Sequence, residues 1–304
     1  MPLVPQEAIW EFVREDFKPK LKDFARSNES TTSQETPVFV DFENSVVEPP
    51  SIPNDRVASK IHRPSYRGPL KLLKKLSSPM KEATVKNVRR LISELKSTSD
   101  HPRVLIVGGG SIGKGMDPIY QDSAIELIAF DIYWSPNVQF LADAHDIPIQ
   151  NDTFDGVVVQ AVLEHVLDPS IVAAEIFRVL KPGGLLYAET PFMQQVHEGP
   201  FDFTRFTESG HRHLFSRFER IDSGSNGGPG LQFMWSVDYL FRGLFRSRTA
   251  GKIAKLCVFW AQYLDRIIPE PYRVDGASGV FFLGRKTNRR LPPKELVSHY
   301  LGAQ

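Results

Sequence analysis

From His101 onward the sequence alternates short apolar runs with helical stretches, and this pattern restricts the fold more than any other feature of the chain. It is the sequence form of repeated βαβ units, and so of a mostly parallel sheet with helices on both faces. The predicted strands are Arg103 to Val107, Glu126 to Phe130, Val138 to Leu141, Phe154 to Gln160, Leu185 to Glu189, Phe218 to Asp222 and Gly279 to Gly284. Ser170 to Leu180 reads as a helix that buries Ile171, Ala174, Ile176, Phe177 and Leu180. The expectation is an α/β core, doubly wound, with no internal repeat.

The first apolar run ends in Gly108-Gly109-Gly110-Ser111-Ile112-Gly113-Lys114-Gly115. Glycines there let the chain reverse tightly and let its backbone come closer to a ligand than any Cβ permits, with helix N-terminal amides aimed at the same place. The second strand closes with Asp131 and Ile132, an acid placed to accept hydrogen bonds from a ribose diol and an apolar side chain that can cover a purine. The third runs into Asp143 and Ala144, a second acid on the far side of the same purine. Two ligand classes fit at this point. The spacing of Gly108, Gly110 and Gly113 suits the pyrophosphate of NAD(P), as in a Rossmann oxidoreductase, while S-adenosyl-L-methionine would lay a sulfonium and amino-acid tail beside the turn.

Two further segments follow in order: Asp152-Thr153-Phe154-Asp155-Gly156, then an apolar strand into Gln160 and Leu163-Glu164-His165-Val166; and Arg178-Val179-Leu180-Lys181-Pro182-Gly183-Gly184. With the Gly turn and the two acids, they make residues 103 to 222 closely similar to the class I S-adenosylmethionine-dependent methyltransferases of the type 11 branch. That resemblance implies a Rossmann-like doubly wound seven-stranded sheet, the class I methyltransferase fold, with a helical insertion before the last strand. It implies S-adenosyl-L-methionine as cofactor: Asp131 on the ribose hydroxyls, Asp143 on the adenine amino group with the Ala144 amide nearby, Gly108, Gly109, Gly110 and Gly113 on the methionine portion, and Gln160 beside the carboxylate and methyl. This sequence departs from the family at Ile106, where most members carry an acid; backbone carbonyls and Gln160 are then left to hold the cofactor's amine. A noncatalytic protein that keeps the nucleoside pocket is the reading that Ile106 favours.

Methyl transfer needs alignment more than a nucleophilic side chain, but a hydroxyl acceptor needs a group to take its proton. Past the fifth strand, Val196-His197-Glu198-Gly199-Pro200-Phe201-Asp202-Phe203-Thr204-Arg205-Phe206-Thr207 packs ionisable residues among aromatics. It is similar to an H-x-x-P-x-D-x-x-R-F-T loop of methyltransferases in glycan and small-molecule biosynthesis. His197 is the candidate base, Asp202 orients it or grips the acceptor, and Arg205 binds an acceptor anion or pairs with Asp202. His165 reads as a pocket wall, His211 and His213 carry no special assignment, and no metal ligands are assigned. The acceptor expected is a small molecule or saccharide-like compound, methylated at oxygen.

The domain plan has five parts: a poorly structured arm at 1–60 with one short helix from Glu7 to Phe17; a basic helical segment at 61–100, with apolar stripes at Leu70, Leu73, Leu76 and at Val85, Val88, Leu91, Ile92, Leu95; the core at 101–223 and 279–290; an insertion at 224–278; and a tail at 291–304. Within the insertion, Gly224 to Gly230 reads as a hinge. Two amphipathic helices follow, one with Phe233, Met234, Val237, Leu240, Phe241, Leu244 and Phe245 on a face, the other with Ile253, Leu256, Cys257, Trp260, Ala261, Leu264 and Ile267. Packing on the core, a homodimer interface, a substrate lid and, given Arg242, Arg246, Arg248, Lys252 and Lys255, a peripheral membrane contact through 231–268 all suit such an element. With 37 basic against 36 acidic side chains there is no global drive toward nucleic acid, and no dedicated nucleic-acid module is seen. One cysteine excludes a disulfide framework and a thiolate zinc cluster. Neither a signal peptide nor a run of 18 apolar residues is present, so the chain reads as cytoplasmic.

Overall fold

The computed structural model describes Arg14, Val38–Phe39 and residues 82–133 and 135–304. The expected helix at Glu7 to Phe17, the rest of the 1–60 arm and the Leu70 to Leu76 stripe lie outside the described residues. Where the arm is described it meets the sheet. Val38–Phe39 forms β1, and the Arg14 backbone N–H donates to Pro148 O at 3.0 Å while its guanidinium bonds Asp146.

The remaining strands are β2 (Arg103–Val107), β3 (Glu126–Asp131), β4 (Phe140–Ala142), β5 (Phe154–Gln160), β6 (Leu180–Pro191), β7 (Phe218–Gly227) and β8 (Gly279–Lys286). They form one sheet in the order β1-β4-β3-β2-β5-β6-β8-β7. All neighbours are parallel as far as β6; β8 then inserts antiparallel between β6 and β7. The seven strands β2 to β8 are the expected doubly wound sheet, with β1 added at the β4 edge.

Period-two alternation explains why its strands read as nearly continuous apolar runs: both faces are buried. Leu105 and Val107 of β2 join Phe130, Phe140, Val157, Val159 and Ile176 on one face. Val104 and Ile106 join Val88, Leu91, Leu95, Ile119 and Tyr187 on the other. Helix α1 (Glu82–Thr98) covers the second face with Val88, Leu91 and Leu95, and its charged side pairs Arg90 with Asp222, Lys96 with Asp122 and Glu94 with Arg285. After α2 (Asp117–Gln121), α3 (Pro169–Val179) covers the first face; its N-terminal amides at Ser170 and Ile171 are capped by the Asp168 carboxylate.

Several boundaries differ from expectation for identifiable reasons. β4 begins at Phe140 rather than Val138, because Gln139 turns inward and bonds Ala129 through both its own N–H and its side-chain oxygen. β6 starts at Leu180, which pairs with Phe154 of β5; the ladder skips Lys181 to Gly184 at a register shift, where Gly183 adopts φ +77°, and resumes with Gly156 against Leu185. The hinge expected at Gly224 to Gly230 is instead the end of β7 and the start of α5 (Pro229–Leu244). The carboxylate of Asp265 accepts from the backbone N–H groups of Gly228, Gly230 and Leu231 at 2.7–3.0 Å, which ties this start down. After α4 (Glu208–Leu214) in the core, the insertion therefore runs α5, α6 (Arg248–Cys257), α7 (Ala261–Leu264) and α8 (Glu270–Asp275). The second amphipathic helix is broken at Val258 to Trp260, which redirects the chain so that Asp265 reaches the N-terminus of α5. α9 (Pro293–Val297) lies in the tail.

Candidate functional site

The carboxyl ends of β2, β3, β5 and β6 carry the first half of the site. β2 runs into Gly108 at φ +74°, and a Cβ there would lie 2.2 Å from Val162 Cγ2, so the turn is shaped against the segment that follows β5. At Gly113 a Cβ would lie 1.7 Å from Gln160 Oε1. The Gly109 N–H donates to Phe130 O at 2.8 Å, and the Gly110 N–H donates to Asp131 Oδ2 at 2.8 Å. Asp131 also accepts from its neighbour's amide at Ile132, 2.7 Å. Burial pushes the Asp131 carboxyl above its ordinary value, against the lowering effect of these amide bonds.

Beside it Ile132 is 73% exposed, a large apolar side chain standing clear at a strand end. Asp143 follows β4 with its Oδ1 bonded to His145 Nδ1 at 2.6 Å, and Ala144 is buried next to it. Gln160 Nε2 donates to Glu189 Oε2 at 2.6 Å and to Lys114 O at 3.3 Å, while its buried Oε1 has no hydrogen-bond partner. Ile106 is buried in the core. The carboxylate nearest Gln160 is Glu189 of β6, buried and also accepting from Thr84 of α1 and Tyr187.

The second half lies between the turn after β5 and the loop after β6. Ala161 leaves β5 at φ +54° with its N–H bonded to Glu189 O, and the chain then reaches Glu164 and His165. Residues 192–207 fold back over them: the Phe203 and Thr204 N–H groups both donate to Glu164 O, at 2.7 and 3.3 Å. That contact brings His197 beside His165, with ring centroids 4.9 Å apart at 72°. The Nε2 atoms of both rings lie 3.7 Å from Glu164 Oε1. His165 Nδ1 is bonded to Phe201 O at 2.7 Å, and His197 Nδ1 lies 3.3 Å from Asp202 Oδ2.

Asp202 and Arg205 form a bidentate pair, and Arg205 further donates to Gln194 O and Thr204 O. Burial works against the Asp202 charge, but the guanidinium and the His197 N–H outweigh it and bring the carboxyl to about 2. Of the two uses open to Arg205 in the sequence, the structure shows the pairing with Asp202. Burial, then the neighbouring His165, holds the His197 ring below its ordinary value.

Glu164 is the residue that sequence reasoning passed over. Its side chain is wholly buried, neither carboxylate oxygen has a hydrogen-bond partner, and burial pushes it to about 8. The available signal was an acid inside an apolar run, Val162-Leu163-Glu164-His165-Val166, but its approach to His197 depends on the fold-back of a distant loop. Tyr133, whose ring lies over Gly110, and Glu189 were also missed.

Residues 122–188 match the family model described as a methyltransferase domain. Demethylmenaquinone methyltransferase from Renibacterium salmoninarum is 32% identical over 108 aligned residues, 32% of this chain and 45% of that one. The protein of the same name from Paenarthrobacter aurescens is 28% identical over 108 residues, 32% and 42% of the respective chains. The chain thus spans less than half the length of these relatives. Among solved structures, phosphoethanolamine N-methyltransferase 2 from Haemonchus contortus, in complex with S-adenosyl-L-methionine, is 15% identical with a TM-score of 0.43, covering 67% of this chain and 53% of that one.

Proposed function

We propose that this chain, whose residues 122–188 match a methyltransferase domain, transfers a methyl group from S-adenosyl-L-methionine to a small-molecule acceptor. The observation that carries the reading is the meeting of Asp131 with the Gly108 to Gly113 turn: a carboxylate held by backbone amides at a strand end, with the exposed Ile132 beside it. Asp131 would hold the ribose hydroxyls, Ile132 the purine face, Asp143 and the Ala144 amide the adenine edge, and Gly108, Gly109, Gly110 and Gly113 the methionine portion. The unpartnered Gln160 Oε1 supports a polar ligand group at the end of β5. When bound, the cofactor supplies a methyl carbon activated by positive sulfur.

On the acceptor side, the loop of residues 192–207 covers the site and keeps water from it. Arg205 positions Asp202, Asp202 turns the His197 ring so that Nε2 faces inward, and His197 takes the proton of a hydroxyl acceptor. The names of the two relatives support a quinone-type small molecule as acceptor, and the loop's likeness to those of glycan-modifying enzymes supports a saccharide-like one. The insertion supports contact with a membrane surface through 231–268: Phe233, Leu240, Leu244 and Phe245 are all more than half exposed beside Arg246, Arg248 and Lys252.

Calorimetric titration of the full chain with S-adenosyl-L-methionine tests the cofactor half. Binding is expected for the wild type and a loss of at least about a hundredfold for Asp131→Ala, the scale of two charge-assisted hydrogen bonds. Undiminished binding in that variant overturns the assigned site. Binding without methyl transfer to any quinone or saccharide acceptor would favour the noncatalytic reading.

A further inference from the structure

We propose that Glu164, His165 and His197 form a binding site for a divalent first-row transition-metal ion on the acceptor side of the cleft. Among the described residues these three present one ligand atom each, all within 4.8 Å of one another. Each imidazole has its Nδ1 engaged elsewhere, His165 to Phe201 O and His197 toward Asp202, so both Nε2 atoms point inward. A carbonyl or carboxylate accepting from Nδ1 is the usual way in which a protein fixes the tautomer of a metal-binding histidine.

The independent observation is Glu164 itself. Its side chain is wholly buried, both oxygens lack a hydrogen-bond partner, and Oε1 lies 3.7 Å from each Nε2. A buried carboxyl left without a partner destabilises the fold, and that cost is removed when a cation binds there. Ligands on an ion at about 2.1 Å stand roughly 3.0–3.5 Å apart, so small side-chain rotations close the site. Two imidazoles and one carboxylate suit zinc, cobalt, manganese or iron(II) better than calcium or magnesium.

His197 is one-quarter exposed, which leaves the remaining coordination positions facing the cleft. An acceptor hydroxyl bound there would have its proton made acidic enough to pass to water in the cleft before the oxygen takes the methyl group, and His197 would serve as ligand in place of proton acceptor. The inference thus deepens the acceptor half of the proposed function and rests on that reading for its role in turnover, while the binding itself is independent of it.

Equilibrium dialysis of chelator-treated full-length protein against Zn²⁺ tests it. One equivalent is expected, with affinity reduced about a hundredfold or more in Glu164→Leu and in His165→Asn. Co²⁺ should produce a visible absorption band that neither variant shows. Zn²⁺ should raise the melting temperature of the wild type but not that of Glu164→Leu, whose metal-free form melts no lower than wild type because an unpartnered carboxyl has gone. A chain that takes up no Zn²⁺, or variants that bind it as the wild type does, overturn the site. S-adenosyl-L-methionine binding, measured on the same samples, separates this outcome from failure of the cofactor assignment, since neither residue belongs to the cofactor half.

Discussion

His211 stands in α4 with both ring nitrogens buried and without hydrogen-bond partners, enclosed by Phe206, Phe215 and Phe282. Burial brings it to about 3, so the folded protein holds it neutral at any ordinary pH. Between its ordinary value and about 3 the unfolded chain takes up a proton that the folded chain refuses. Stability is therefore full above about pH 6.5 and falls as the pH drops below it, by up to roughly tenfold in the folding constant per pH unit from this one group. His211→Leu should flatten that slope in urea titrations between pH 6.5 and 4 and stabilise the protein by about 1 kcal/mol at neutral pH, because two unpaired polar atoms leave the core. An unchanged slope would show that the ring finds a proton partner. Glu164 is another buried group without a hydrogen-bond partner, yet its setting is different: two imidazole nitrogens face it, whereas His211 lies against the rings of Phe206, Phe215 and Phe282. His211 stands between Gly210 and Arg212, where nothing local marks it as buried, and Glu164 shows only as an acid inside an apolar run.

The insertion reads as helical in the sequence, and the structure shows which of its residues are buried. Of the apolar stripe expected on α5, Met234 is buried while Phe233, Leu240, Leu244 and Phe245 are exposed, and α5 packs through Gly230, Met234 and Asp238, one turn apart. A Cβ on Gly230 would lie 2.1 Å from Ala261 O, and one on Gly251 would lie 2.4 Å from Asp238 Oδ1, so these helices meet through small residues at close range. Asp238 is paired with Arg242 and Lys255, and Asp265 takes the place of a local cap for α5. Asp265→Ala should cost about 3 kcal/mol in chemical denaturation, since three backbone donors lose their acceptor together, with faster amide exchange at the start of α5. The same helix braces the loop of residues 192–207, with Tyr239 OH donating to Val196 O at 2.6 Å and Gln195 Nε2 donating to Ser236 Oγ at 3.2 Å. Gly230→Ala, which must push α5 away from α7, is accordingly expected to lower methyl transfer several-fold while leaving S-adenosyl-L-methionine affinity unchanged. Equal loss of both would place the helix's influence on the whole sheet.

Among the described residues the two faces of the sheet are closed by packed helices, and the insertion carries many exposed large apolar side chains: Leu244 is 68% exposed, Phe245 62%, Ile253 60% and Ile267 77%. No helix among the described residues is long and apolar enough to cross a membrane. Arg246, Arg248 and Lys252 stand at the α5–α6 junction without an ion-pair partner among the described residues, so a formal net charge of +1 conceals a locally basic, apolar edge. Sedimentation with anionic vesicles should retain the wild type and release a variant with Arg246 and Lys252 reversed to Glu, and added salt should weaken the retention. Indifference to vesicle charge would remove the membrane contact. The sheet was legible in the sequence because parallel strands buried on both faces must be apolar at every position, and the Gly108 turn and Asp131 were legible because they sit at fixed offsets along neighbouring strands. Local order along the chain was enough for these. The tertiary structure decided the rest: that Asp265 ends the supposed hinge, that Arg205 is committed to Asp202, that the Phe stripe of α5 faces outward, and that His197 returns to Glu164 and His165. Each depends on two segments distant in sequence meeting in space, and hydrophobic periodicity, which reports only whether a residue faces inward, carries no information about which partner it meets there.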